Sequence, residues 1–191
     1  MKIENLCFSY LDKEIEKTVF DGLNLESNSR IICLMGPSGC GKTTLLHILA
    51  GLLMPCGGTV SDFPASISIM FQEDRLLPWL NAYENVALVR DGNPAWKGQD
   101  DMAVKLLKAL DIDPAMDIGS MSGGMKRRVA LARALAFESE ALLLDEPFKG
   151  MDEDLMQRAA DLIKSQNKIT VVSTHSEAEA RALGAEIVRL H

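Results

Sequence analysis

GPSGCGKT, residues 36–43, decides the fold. It fits the spacing G-x-x-x-x-G-K-[ST]: glycines let the backbone curl so that successive N–H groups point inward at phosphate oxygens. Its flanks matter as much as its letters. The apolar run RIICLM (30–35) precedes it, and TTLLHILAGL (43–52), with helical periodicity, follows it. A strand, a glycine loop and a helix in that order aim the positive end of the helix at the loop. In such a loop Gly36, Pro37, Ser38, Gly39, Cys40 and Gly41 wrap the phosphates. Lys42 reaches the β- and γ-phosphates, and the Thr43 hydroxyl ligates Mg²⁺. Thr44 can bond a further phosphate oxygen. The bland alternative, a plain strand-to-helix turn, does not account for the lysine and threonine at the right offsets.

Other apolar runs bounded by turn residues read as strands: IENLCFSY (3–10), SISIMF (66–71), ALLL (141–144), KITVVS (168–173) and EIVRL (186–190). Helical periodicity occupies about 42–50, 81–90, 100–110, 124–137, 153–165 and 176–183. Strands alternating with helices predict an α/β fold with a mostly parallel sheet. From about 74 to 137 helical patterns follow one another without a convincing strand, punctuated by DGNPAWKG (91–98) and DIDP (111–114). This predicts one domain: an α/β core over about 1–73 and 138–191, with a helical subdomain inserted over about 74–137.

Two further strands end in chemistry. ALLLDEP (141–147) is an apolar strand closing on Asp145, suited to an Mg²⁺ contact, and Glu146, suited to activating a water. Alternation along a strand sends adjacent side chains to opposite sides, so one pair can serve two roles. KITVVSTH (168–175) ends at His175, placed to touch a γ-phosphate. Ligands of open α/β sheets bind beyond the carboxyl ends of the strands, so these positions can converge with Gly36. Gln72 also follows a strand, and its amide can reach Mg²⁺ or the water. By itself a glutamine there is usually just solvated.

SMSGGMKRRVALARALA (120–136) breaks local rules. Glycine within a helix costs about 1 kcal/mol against alanine. Cations near a helix N-terminus oppose its dipole by about 0.3–1 kcal/mol. Ser122 reads as an ordinary N-cap or as a donor to an anion. Met125 is neither Glu nor Gln, so no capping box favours the first reading. Lys126, Arg127 and Arg128 read as a solvated face or as charges relieved by a nearby anion.

Net charge is −7 with a pI of about 5.0, which argues against a nucleic-acid surface. No apolar run approaches the ~20 residues of a membrane span, and MKIENLCFSYLDKE lacks a signal-peptide core. A cytoplasmic protein is expected, held at a membrane by a partner if it works there. Cys7, Cys33, Cys40 and Cys56 form no CxxC pair and read as reduced thiols packed as small hydrophobes, not as a zinc site.

Taken together and in this order, the motifs resemble those of the ATPase subunits of ABC transporters over nearly the whole chain. GPSGCGKTT is similar to their Walker A, Gln72 to the Q-loop, MSGGM to the signature, LLLDE to Walker B, KGMD to the D-loop ending at Asp152, and His175 to the switch histidine. Tyr10 matches the aromatic that stacks on adenine. The resemblance implies a P-loop NTPase core with an N-terminal antiparallel β portion, ATP and Mg²⁺ as ligands, and a head-to-tail dimer. In that dimer Ser122, Gly123 and Gly124 of one copy, with Asp152, cap the ATP held by the other. Met121 and Met125 replace Leu and Gln of the usual signature, and Lys149-Gly150-Met151 replaces Ser-Ala-Leu. FQEDRLLPWLNAYENV (71–86) and DEPFKGMD resemble the ATPases of nitrate, sulfonate and taurine importers, which pair with a membrane permease and a substrate-binding protein. The apolar members of the first run are either subdomain core or a groove for a permease helix. A non-transport ABC ATPase would be expected to bring a basic face, a coiled-coil insert or tandem cassettes. A GTPase or kinase would bring an N-K-x-D motif or an acceptor site. None of these is visible.

Overall fold

The register of three strands governs the molecule. In the computed structural model, which describes residues 1–12, 15–91 and 101–191, β3 (Ile31–Met35), β6 (Ala141–Asp145) and β7 (Ile169–Ser173) lie side by side and parallel. Leu34 pairs with Ser173, and Ser173 with Asp145. One row therefore crosses all three strands at their carboxyl ends. With β5 (Ile67–Met70) and β8 (Glu186–Arg189) they form a five-stranded parallel sheet of order β5-β6-β7-β3-β8. A second, antiparallel sheet has order β2-β1-β4 and comprises β1 (Lys2–Asp12), β2 (Ile15–Glu26) and β4 (Gly57–Ser61).

The parallel strands are apolar on both faces, as a sheet covered on two sides requires. Leu142, Leu144, Cys33 and Val172 belong to one buried cluster. Leu143, Ile32, Leu34 and Val171 alternate into the other. That second cluster takes in α1 (Lys42–Leu49) and the antiparallel sheet through Ile3, Leu6, Phe8 and Phe20. The first takes in the remaining helices: α2 (Ala82–Asp91), α3 (Asp101–Ala109), α4 (Gly123–Ala136), α5 (Glu153–Ser165) and α6 (Glu177–Leu183).

The mostly parallel α/β core and the antiparallel N-terminal portion agree with expectation, and all six anticipated helices form. Between Met70 and Ala141 the described residues form three helices, a 3-10 turn at Ile118–Ser120 and one isolated bridge, Asn81 with Asp117. The loop expected at 91–98 falls, after Asp91, outside the described residues.

Two strands were not anticipated. β2 reads IEKTVFDGLNLE, and its polar–apolar alternation is interrupted. Gly22 adopts φ +74°, and the pairing with β1 shifts register between Ile3 and Leu6, Leu6 and Phe8, and Phe8 and Ser9. Each bulge moves the inward face by one residue. β4, GGTVS, is a short, largely exposed edge strand. The four cysteines are free, as expected, but their packing as small hydrophobes needs correction. Cys33 is fully buried, and burial pushes its thiol up to about 12. Cys56 is exposed, and Cys7 and Cys40 are half-buried.

Candidate active site

Because Leu34, Ser173 and Asp145 share one row, the residues just beyond them emerge together. The Thr43 hydroxyl, at the start of α1, donates to Asp145 Oδ2 at 2.7 Å. The Ser173 hydroxyl donates to Asp145 Oδ1. Asp145 is buried at 4% exposure, yet both carboxylate oxygens have donors, as a buried charge requires. A cavity of about 270 Å³ opens above this pair, lined by Lys42, Thr43, Gln72, Asp145 and Glu146 on the catalytic side. Tyr10, Ser38, Gly39, Gly41 and Thr44 line it elsewhere.

Asp145 and Glu146 both face this cavity, which strand alternation does not explain. The chain turns instead. Glu146 adopts φ +49°, a left-handed conformation costing a non-glycine residue of order 1–3 kcal/mol. Its N–H donates to the Ser173 carbonyl at 3.1 Å and to Ser173 Oγ at 3.0 Å, which pins the turn. The strain is held in place by these bonds at the end of a central strand, in the wall of the cavity. His175 stands beside it, with Nδ1 3.8 Å from Glu146 Oε1, and its imidazole is 77% exposed.

Lys42 Nζ donates to the Gly36 and Pro37 carbonyls at 2.8 and 2.9 Å and lies 3.8 Å from Cys40 Sγ. Its ammonium is thus held within the loop. Gly41 has φ +97°, and an added Cβ would lie 2.7 Å from both Val19 and Phe20. The loop is therefore pressed against β2. Sequence reasoning missed this wall, of which Lys17 and Val19 also line the cavity. Only the interrupted alternation of β2 could have pointed to it. The Tyr10 hydroxyl shares a hydrogen bond with Thr44 Oγ1 at 3.2 Å, and its ring meets Phe8 edge-on at 4.9 Å.

Gln72 sits on a loop held at several points. The Phe71 ring contacts the His47 ring at 5.7 Å, and the Arg75 guanidinium lies 3.8 Å from the Phe71 centroid. From α4, Arg133 donates to the Asp74 and Arg75 carbonyls, each at 2.8 Å. Downstream, buried Asn85 accepts from Leu77 N–H and donates to the Leu77, Leu80 and Asn81 carbonyls. This internal anchor, invisible in sequence, fixes the loop that displays Trp79 at 75% exposure.

The glycine-rich start of α4 stands apart. Ser122, Gly123 and Gly124 do not line the cavity, and Ser122 and Gly123 are exposed. Ser122 is the N-cap after all, accepting from Met125 N–H at 3.3 Å without a capping box. Asp152 caps α5 in the same way, accepting from Leu155 N–H at 2.9 Å, and is likewise outside the cavity. Arg127 and Arg128 are not a solvated face: their partners lie within the chain, and Arg127 includes the Asp74 carboxylate among them at 2.9 Å. Arg127 is buried among backbone carbonyls, and Arg128 donates to the carbonyls of Gly124, Leu110 and Asp111. Gly124 packs against the turn of Gly150, where an added Cβ would lie 3.2 Å from the Gly150 carbonyl oxygen.

This arrangement can bind a polyphosphate over a helix N-terminus and place a carboxylate beside its end. Known proteins are similar throughout. The family model described as "ABC transporter" matches residues 21–149. A bicarbonate transport ATP-binding protein of Synechocystis is 34% identical, covering 100% of this chain and 73% of its own length. A taurine import ATP-binding protein of Pseudomonas aeruginosa is 35% identical, covering 97% and 76%. An aliphatic sulfonates import ATP-binding protein of Pseudomonas savastanoi is 37% identical, covering 90% and 73%. Among solved structures, the dimeric ATP-binding cassette MJ0796 in a post-hydrolysis state bound to ADP and Pi superposes with a TM-score of 0.83 at 29% identity, over 99% of this chain and 93% of that one. The strand register, the phosphate loop and these relatives lead to one statement: the chain belongs to the ABC transporter family and is an ATP-binding, ATP-hydrolysing subunit of it.

Proposed function

We propose that this protein powers the import of a small anionic solute, as one of two copies that pair head to tail with ATP between them. The observation that carries the reading is the junction of Thr43 and Asp145, 2.7 Å apart, in the cavity that Lys42, Gln72 and Glu146 also face. One hydroxyl and one carboxylate with a glutamine amide nearby suit Mg²⁺, which prefers few protein ligands, several waters and substrate phosphates. No group of three or more His, Cys, Asp or Glu side chains that could cage a metal occurs among the described residues. Thr43, Asp145 and Gln72 would hold Mg²⁺ there, where it would supply positive charge against the β- and γ-phosphates. Gly36 to Thr44 wrap the phosphates with backbone and side-chain donors, and Lys42 turns from the loop carbonyls to the γ-phosphate. Glu146 accepts a proton from water as its oxygen bonds to the γ-phosphorus. The bond from that phosphorus to the β,γ-bridging oxygen breaks, giving ADP and phosphate. Gln72 orients the water or the metal, His175 donates to the γ-phosphate, and Tyr10 offers its ring to adenine.

Ser122, Gly123, Gly124 and Asp152 serve the other copy's nucleotide. The exposure of Ser122, Gly123 and Asp152, and the position of all four outside the chain's own cavity, support this assignment. No helix among the described residues is long and apolar enough to cross a membrane. From its likeness to import ATP-binding proteins we assign a membrane permease as partner at the inner face of the membrane, docked near the exposed Trp79. The permease is served in turn by a solute-binding protein. The relatives' cargoes, bicarbonate, taurine and sulfonates, are small solutes bearing an anionic oxygen group, and a small anionic or sulfonate- or nitrate-like solute is the class proposed.

The test is complementation between differently tagged copies purified as mixed dimers. Lys42→Ala in one copy and Ser122→Arg in the other leave one whole composite site. Both changes in one copy, paired with an unaltered chain, leave none. The first mixture is expected to retain about half the hydrolysis of the parent and the second almost none. The reverse order, with the second mixture active and the first inert, would show that each chain works on its own ATP, and equal rates would show that Ser122 serves neither nucleotide.

A further inference from the structure

Arg127 is the buried centre of the region where three functional segments meet. The residue is 4% exposed, and each of its three guanidinium nitrogens is engaged. Nε donates to the Glu146 carbonyl at 3.2 Å, and one terminal nitrogen donates to the Asp145 carbonyl. The other donates to the Phe71 carbonyl at 2.7 Å, the Gln72 carbonyl at 3.0 Å and Asp74 Oδ1 at 2.9 Å. The acceptors therefore belong to two chain segments, the one carrying Glu146 and the one carrying Gln72. The donor belongs to α4, whose first turn carries Ser122, Gly123 and Gly124.

We propose that Arg127 is a positioning residue for ATP hydrolysis: it locks Gln72 and Glu146 to the helix whose start faces the partner's nucleotide. The proposal rests on the reading of Glu146 and Gln72 given above. Three observations carry it. First, four of the five acceptors are backbone carbonyls, so the contact sets where the main chain lies. Secondly, Glu146 holds a left-handed conformation that persists only when its surroundings over-determine it. Ser173 holds its N–H side, and Arg127 holds the carbonyls on either side of its φ and ψ. Thirdly, a rigid planar fork with five N–H donors can reach all five of these acceptors from separate nitrogens, whereas an ammonium offers three donors from one point. A displacement at the signature end of α4 is therefore transmitted to Gln72 and Glu146 together, through one side chain, instead of to either alone.

The experiment compares Arg127→Lys and Arg127→Gln with Glu146→Gln in the full chain. Readouts are thermal melting, ATP affinity, and single-turnover hydrolysis per folded chain at protein concentrations high enough for pairing. Hydrogen exchange at residues 71–75 and 145–147 is followed in parallel. For Arg127→Lys, ATP affinity should stay within about threefold while hydrolysis falls by at least about tenfold, the signature of a misplaced reacting group. Exchange should rise in both segments, and the glutamine variant should be slower still. Two results overturn the proposal: hydrolysis within about twofold of the parent, or affinity and rate falling in equal measure. If neither Arg127 variant melts cooperatively, Asp74→Asn takes their place. It removes the charge on one acceptor at a partly exposed site, and about threefold slower hydrolysis at unchanged affinity is expected, whereas no change overturns the proposal. Normal hydrolysis in Glu146→Gln overturns the site reading itself. Loss there with normal Arg127 variants overturns only this inference.

Discussion

Two glycines tell the two halves of this molecule apart. Gly41, in the phosphate loop, has φ +97° and lies so close to β2 that an added Cβ would meet Val19 and Phe20 at 2.7 Å. Gly123, in the first turn of α4, has no such reason. Its φ is ordinary and a Cβ there would meet nothing within 4 Å. Much of the phosphate corner is explained by its own chain: register, hydrogen bonds and packing account for Gly41, Lys42, Thr43 and Asp145. The start of α4 is not. A glycine that the fold does not need, where an isolated helix would favour alanine, is what the proposed contact with a second copy would require. The contrast supports a reaction centre divided between two copies.

The largest expected effect tests the internal half. Gly41→Ala forces a Cβ into Val19 and Phe20 at a positive φ. The combined overpacking and strain should cost about 2–5 kcal/mol of folding stability. Denaturant melting and ATP binding should both show it. A variant that melts like the parent and still binds ATP would mean that the loop is not pressed onto β2.

A smaller effect separates structure from partnership at Asp152. Its carboxylate caps α5, so Asp152→Ala should lower stability by about 1 kcal/mol. Asp152→Asn keeps a capping acceptor and should lose only a few tenths. If ATP-dependent pairing weakens in the asparagine variant while melting stays near the parent, the residue serves the partner as well as its own helix. If pairing tracks melting in both, its role is the cap alone.

The sequence was legible where chemistry and local structure coincide. RIICLM, GPSGCGKT and the helix after it are contiguous, and Asp145, Glu146 and His175 end apolar runs. A reader of the chain alone can therefore bring them together. It was illegible where the reason lies far along the chain. Arg127 resembles a solvated charge in KRR, and only acceptors 18 to 56 residues away show it to be buried. Asn85 is one polar residue in a helical pattern until its bonds to Leu77 and Leu80 are seen. β2 was hidden by its own bulges, which spoil the period-two signal, and Lys17 and Val19 were hidden with it. The pairing of Asp145 with Glu146 was anticipated, but for the wrong reason. Alternation would have parted them, and the left-handed turn at Glu146 unites them.

The smallest effect on stability is also the sharpest test, because its sign is opposite to its effect on function. Gly123→Ala adds a methyl group into open space at the first helical position. Alanine restricts the unfolded chain and favours the helix, so the isolated chain should gain a few tenths to about 1 kcal/mol and melt up to about 4 °C higher. In the paired state the same methyl would stand between the backbone of Gly123 and the partner's γ-phosphate. ATP-dependent pairing and hydrolysis should then fall by about tenfold or more, while ATP binding to the single chain stays unchanged. Since nothing outside its own helix and chain neighbours lies within 4 Å of that methyl, a gain in stability with a loss of turnover points to an intermolecular contact. A stabilised variant that pairs and hydrolyses like the parent would leave the glycine without a purpose and remove the main support for a divided site.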